Sequence, residues 1–191
     1  GCDLAKVQDY TVLRVYDRLD NALVYKDRFK TIEWPFQKAK IKSIATHYNR
    51  ALVMLDATGL GDPIADDLLR AGVSVEPIKL TEQSKKDIIE KLSIWIEQKK
   101  IKLIPSDEDL LEYDNFSYEI GPTGKIRYGA RQGFHDDIVI ADALAVWSLQ
   151  TLYMEQVVKP LTPLQKHFAV GMSQFNEEYE DTREWSDWEQ A

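Results

Sequence analysis

The order of apolar segments predicts an α/β fold: a mixed β-sheet flanked by helices, with an added basic β-hairpin. Three observations carry that expectation. The N-terminal third alternates apolar and polar residues as strands do. Ala51–Leu55 (ALVML) is a continuous apolar run, the mark of a strand covered on both faces. Helical spacing then alternates with short strands, and a meander followed by such alternation closes most simply as one mixed sheet.

Taken in order, Cys2–Ala5, Thr11–Tyr16 and Ala22–Lys30 read as antiparallel strands, the last two joined across the Asp20-Asn21 turn signal. Pro35 opens a helix carrying Ala39, Ile41, Ile44, Ala45 and Tyr48, since the first helical turn does not need proline's missing N–H. The Ala51–Leu55 strand follows and is broken by a loop from Asp56 to Pro63. Ile64–Ala71 reads as a helix and Val73–Ile78 as a strand. Thr81–Lys100 is a long helix capped by Thr81 or Ser84, with Ile88, Ile89, Leu92, Trp95 and Ile96 as its apolar stripe. Lys102–Ile104 is expected as a short edge strand, and Ser106–Leu111 as a helical turn. Gly121-Pro122-Thr123-Gly124 is a turn signal between Tyr118–Ile120 and Lys125–Tyr128, which makes the hairpin. Phe134–Leu152 closes the core as a helix with Ile138, Ala141, Ala145 and Leu149 on one face. Leu164, Phe168 and Met172 fit a short docked helix.

With 191 residues, 44% of them hydrophobic, the chain can bury one substantial core. We expect that domain to span residues 1–172 and an acidic, flexible tail to occupy 173–191. The net charge of −8 is mostly that tail: seven acids follow Ser173 against Arg183 alone. The remaining 25 acids and 23 bases leave Gly1–Met172 at −2, which permits a local basic surface for nucleic acid. No apolar run approaches the ~18–20 residues needed to cross a bilayer, so no membrane role is expected. A lone cysteine, Cys2, excludes an internal disulfide and a cysteine-based zinc cluster. The three histidines are too scattered for an imidazole zinc site. A bound metal would therefore sit among carboxylates, as magnesium, manganese or calcium do. A first strand beginning at Gly1 predicts a domain cut from a longer polypeptide.

Three acidic positions are coupled to the sheet. Asp3 lies in the first strand, Asp56 directly follows the buried Ala51–Leu55 strand, and Asp136-Asp137 begins the last core helix. Two strands and a helix start can converge at the sheet edge where ligands bind. Carboxylates gathered there repel one another unless cations neutralise them. Singly, each acid has an ordinary explanation: Asp56 as a turn former, the Asp136–Asp137 pair as a helix cap and first-turn acid. Asp3 is harder to explain that way, because aspartate is disfavoured inside a core strand. Asp142 lies about 240° and 140° around the helix from Asp136 and Asp137, off their face, and reads as a helix-surface residue that binds no metal.

Gly1-Cys2-Asp3-Leu4-Ala5-Lys6 with Asp9-Tyr10-Thr11, Leu55-Asp56-Ala57-Thr58-Gly59, and His135-Asp136-Asp137 leading into Ala141-Asp142-Ala143-Leu144-Ala145 resemble the nuclease domain of bacteriophage terminase large subunits. The resemblance covers roughly residues 1–152. It implies a ribonuclease H-like fold and metal-dependent endonuclease cleavage of concatemeric viral DNA during packaging, in the cytoplasm of the infected bacterium. It assigns catalysis to Asp3, Asp56 and Asp136, and metal binding to these three with Asp137 as an additional or alternating ligand. Two Mg²⁺ or Mn²⁺ ions about 3.5–4 Å apart would then act on the scissile phosphate, Asp3 bridging them. His135 either orients an aspartate or contacts phosphate, unless it simply packs. The implied partners are double-stranded DNA, an N-terminal ATPase domain of the same subunit, the small terminase subunit and the portal protein. The chain contains no phosphate loop of the G-x-x-x-x-G-K-[ST] type.

For gripping DNA, Lys125, Arg127 and Arg131 on the hairpin and its exit, with Lys6 beyond the first strand, are the expected phosphate contacts. Lys85, Lys86, Lys99 and Lys100 read as ordinary helix surface. Two other readings stand beside this one: a Holliday-junction resolvase or other ribonuclease H-like nuclease, and a non-catalytic nucleic-acid-binding or assembly module.

Overall fold

The computed structural model describes residues 1–5, 10–30, 33–59, 61–122 and 124–158, with side-chain surroundings through residue 150. Lys6, the helix expected around Leu164–Met172, the boundary at 172 and the acidic tail lie outside these residues. Gly1–Tyr153 forms one compact unit.

Three strands, β1 (Cys2–Asp3), β2 (Thr11–Tyr16) and β3 (Leu23–Phe29), pair antiparallel as a meander. Helix α1 (Trp34–His47), started by Pro35, returns the chain to β4 (Val53–Asp56), which lies parallel to β1. Helix α2 (Gly61–Arg70) then leads to β5 (Val75–Ile78), parallel to β4. The sheet order is β3-β2-β1-β4-β5, so the expected mixed sheet is present. Helix α3 (Glu82–Glu97) begins at a reciprocal cap that uses both expected residues: Thr81 is the N-cap and Ser84 answers it from the third helical position. Helix α4 (Asp107–Asn115) runs into a hairpin of β6 (Phe116–Ile120) and β7 (Ile126–Ala130). Helix α5 (Asp137–Val158) follows.

Strand alternation sorts the core into two layers. Cys2, Leu13, Val53 and Leu55 pack on one face against Ile41 and Ala45 of α1 and Ile64, Ala65 and Leu68 of α2. Met54, of opposite parity, packs with Ile88, Ile89 and Leu92 of α3 and Val139, Ile140, Ala143 and Leu144 of α5. Val12 meets Ile138 and Ala141 of α5. Small residues let α5 lie tight on β1: a Cβ built on Gly1 would collide with the Ala141 carbonyl oxygen.

Three sequence expectations need correction. Lys102–Ile104 is no strand; Lys102 forms only an isolated parallel bridge to Ala22. The helical turn at Ser106–Leu111 is a full nine-residue helix, because Ser106 and Asp109 form a reciprocal cap that starts it firmly. Asp142 is not on a helix surface. It is 1% exposed, since α5 is buried on nearly all sides, as its run of apolar residues around the whole circumference requires.

Asp142 instead joins a buried polar layer. Its carboxylate accepts hydrogen bonds from the Tyr16 hydroxyl (2.7 Å) and the Tyr113 hydroxyl (3.0 Å), and the Arg14 guanidinium lies beside it. Arg14 also pairs with Asp109 of α4, which takes a second cation in Lys26. The layer thus ties β2, α4 and α5 together. Removing one partner of such a group leaves the others buried without compensation. Asp142→Ala should therefore cost about 3–5 kcal/mol in urea unfolding, whereas a surface helix position would stay within about 0.5 kcal/mol.

Candidate metal and nuclease site

The positions of Asp3 and Asp56 follow from strand register. Cys2 pairs with Leu55 across the parallel β1/β4 ladder, so Asp3 and Asp56 are the next residues along two neighbouring strands. Parity places both on the α5 side of the sheet, because Val12 opposite Asp3 and Met54 two residues before Asp56 pack there. Both close the C-terminal ends of their strands, the usual place for a ligand in such sheets. The α5 start then delivers the other pair: the Asp136 carbonyl accepts the first helical hydrogen bond, from Ile140, and Asp137 is the first helical residue.

The Asp3 carboxyl feels the other three. Burial first, then the charges of Asp56, Asp137 and Asp136, push the Asp3 carboxyl well above its ordinary value of 3.8, and Lys85 acts in the opposite sense. Among the described residues, no three His, Cys, Asp or Glu side chains converge as a preformed metal cage. Three of these acids are engaged by other donors instead. Asp56 accepts the Thr58 N–H (2.8 Å), and Asp137 the Tyr10 N–H (3.3 Å). Asp136 accepts the Lys85 ammonium (2.8 Å). Lys85 is thus not plain helix surface: it leans from the first turns of α3 onto a carboxylate of the cluster. An all-oxygen donor set around a half-buried carboxyl that resists ionisation fits hard divalent cations.

His135 lies with Nδ1 3.7 Å from Asp137 Oδ2 and packs edge-on to the Tyr10 ring, a position suited to orienting Asp137. Strand β7 passes beside the site, since a Cβ on Gly129 would lie 3.9 Å from Asp136 Oδ2. Of the hairpin cations, Lys125 and Arg127 both reach Glu82 at the α3 start (3.9 and 3.2 Å), and Arg131 is exposed. The basic hairpin is therefore next to the acids, with two of its charges held by a surface acid.

Sequence reasoning missed Glu112, Arg28, Tyr10 and Lys85. Glu112 is 4% exposed and faces the α5 start; burial raises its carboxyl pKa, countered by the Ile138 N–H and Arg28. A signal for it existed. Asp109 and Glu112 are one helical turn apart, matching Lys26 and Arg28 two apart on a strand.

The terminase RNaseH-like domain model matches residues 1–149. The large terminase subunit of Thermus virus P23-45 is 34% identical over 147 residues, which is 76% of this chain and 30% of that protein. The chain thus spans about 30% of the length of this relative. The large terminase nuclease of thermophilic phage G20c, crystallised with bound magnesium, is 33% identical with a TM-score of 0.71, over 77% of this chain and 78% of that one. The same G20c domain has been crystallised with cobalt and with zinc. The nuclease domain of the Thermus phage P74-26 large terminase is 30% identical, with a TM-score of 0.69 over 76% and 75% of the two chains.

A carboxyl whose native pKa is raised binds its proton more tightly when folded. Its penalty is therefore absent below 3.8 and grows as pH rises from there through the raised native value. With chelator present at pH 7, Asp3→Asn should raise the thermal midpoint, by about 2–4 °C per kcal/mol of relieved desolvation and repulsion. The gain should vanish by about pH 3, followed by circular dichroism melts across that range.

Proposed function

The chain belongs to the terminase RNaseH-like domain family, and on that premise we propose that it is the nuclease domain of a phage large terminase subunit. In this reading it is a metal-dependent endonuclease that cuts concatemeric double-stranded viral DNA during packaging, with little sequence preference. The observation that carries the proposal is the side-by-side placement of Asp3 and Asp56 at two parallel strand ends, facing the helix start that bears Asp136 and Asp137. Asp3, Asp56 and Asp136, joined by Asp137, would hold two Mg²⁺ or Mn²⁺ ions. When bound, the ions supply Lewis acidity that activates water and stabilises the leaving 3′-oxygen of the scissile phosphate.

The chain's own groups prepare that site. Burial makes the Asp3 carboxyl reluctant to hold charge alone, so it favours a cationic partner. Lys85 is the counterion of Asp136 and would compete with a bound cation for that carboxylate. His135 holds Asp137 in orientation. Lys125, Arg127 and Arg131 meet DNA phosphates beside the acids, Lys125 and Arg127 leaving Glu82 to do so. Lys6 adds a contact of the same kind. In the intact subunit an ATPase domain would precede this one, and the small subunit and portal would present DNA in the cytoplasm of the infected host.

Supercoiled plasmid and linear duplex should both be cut in manganese, and Asp3→Asn should reduce cutting to background while circular dichroism stays native. A wild-type protein that leaves both substrates intact, or an Asp3→Asn variant that cuts as well, would overturn the proposal. Lys85→Met should lower the thermal midpoint in chelator and enlarge the upward shift that manganese produces. An unchanged manganese-induced shift would remove Lys85 from the site.

A further inference from the structure

The geometry points to Glu112, together with Arg28, as a positioning residue that fixes the helix start carrying Asp136 and Asp137; this inference rests on the metal-site reading above. The two aspartates occupy the cap and first residue of α5, where backbone N–H groups have no partner within the helix and the end is free to fray. Glu112 closes that end from a neighbouring helix. Its Oε2 accepts the Ile138 N–H at 2.8 Å, and its Oε1 accepts from the Arg28 guanidinium at 2.8 Å. An acid at this point also opposes the positive end of the helix dipole.

Arg28 carries the clamp around to the aspartate itself. Its guanidinium carbon lies 3.4 Å from the centre of the Tyr10 ring, a stacked cation–π contact. The Tyr10 backbone N–H donates to Asp137 Oδ2, and its ring packs against His135. One circuit therefore runs from Glu112 through Arg28 and Tyr10 to the Asp137 carboxylate, and from Glu112 directly to the backbone of the next residue. The acceptor comes from α4, which is itself anchored by Asp109 on Arg14 and Lys26.

The clamp treats the two aspartates differently. Asp137 is 8% exposed, with one oxygen on the Tyr10 N–H; Asp136 is more open, and a lysine side chain holds it. A rigid first residue leaves its neighbour aimed into the cluster, its carboxylate ready to exchange the ammonium for a metal ion. Partners that orient metal ligands from outside are worth about 10–100-fold in metal affinity.

Calorimetric titration of manganese into wild-type, Glu112→Ala, Glu112→Gln and Arg28→Met proteins tests this, each checked for native circular dichroism. Glu112→Ala should weaken binding about 10–100-fold. Glu112→Gln keeps an oxygen for the Ile138 N–H but turns an amide NH2 toward Arg28, so it should bind manganese more tightly than Glu112→Ala and about as Arg28→Met does. If Glu112→Ala does not fold, Arg28→Met, which leaves that N–H bond in place, decides the matter with an expected loss of about tenfold. Folded variants that bind manganese as the wild type does would overturn the inference, since a purely structural role lowers stability without changing affinity. A wild-type protein that binds no manganese would defeat the metal-site reading instead.

Discussion

A single parallel pairing, Cys2 against Leu55, governs the chemistry available to this domain. Strand periodicity gives it only two outcomes: a shift of one residue would turn Asp3 or Asp56 to the opposite face. The register is held by burial on both sides. Cys2 and Leu55, both wholly buried, anchor it under α1 and α2, while Met54 and Val12 fill the α5 side. Two carboxylates that repel one another are thus kept adjacent by the packing of their apolar neighbours.

The α5 helix is the second constraint, and it is positioned by polar as well as apolar contacts. Asp142 is buried with two tyrosines and Arg14 beside it, and Glu112 holds the helix start. Buried polar groups fit together in few arrangements, so they fix helix position more narrowly than interchangeable aliphatic contacts do. Helix α4 supplies Asp109, Glu112 and Tyr113 to this framework. A helix that sequence reading reduced to one turn is the strut of the site.

Electrostatically, the site is assembled but not at rest. Asp56, Asp136 and Asp137 each take a local donor, and the ammonium of Lys85 partly offsets the charge around Asp3. A preformed cage would require all four carboxylates to converge without a cation, which their repulsion opposes. The cluster is therefore held in a partly neutralised arrangement, each of Asp56, Asp136 and Asp137 kept near the others by a donor of its own.

Much of this was written in the chain. The apolar run at Ala51–Leu55, the alternation of Thr11–Tyr16 and the Thr81–Ser84 cap are local patterns, and local patterns determine strands and helices directly. Asp3 stands out because an acid in a core strand conflicts with its surroundings, whereas the Asp136–Asp137 pair suits a helix start and gains meaning only in combination with Asp3 and Asp56. What the sequence could not decide is how elements face one another. The apolar circumference of α5 signals burial, but only the arrival of α4 and β2 gives Asp142 its partners Tyr113, Tyr16 and Arg14. Lys85 and Glu112 were passed over because their partners lie 51 and 26 residues away. Charge pairing across such distances has no periodicity to betray it, and only the folded chain brings the partners within reach.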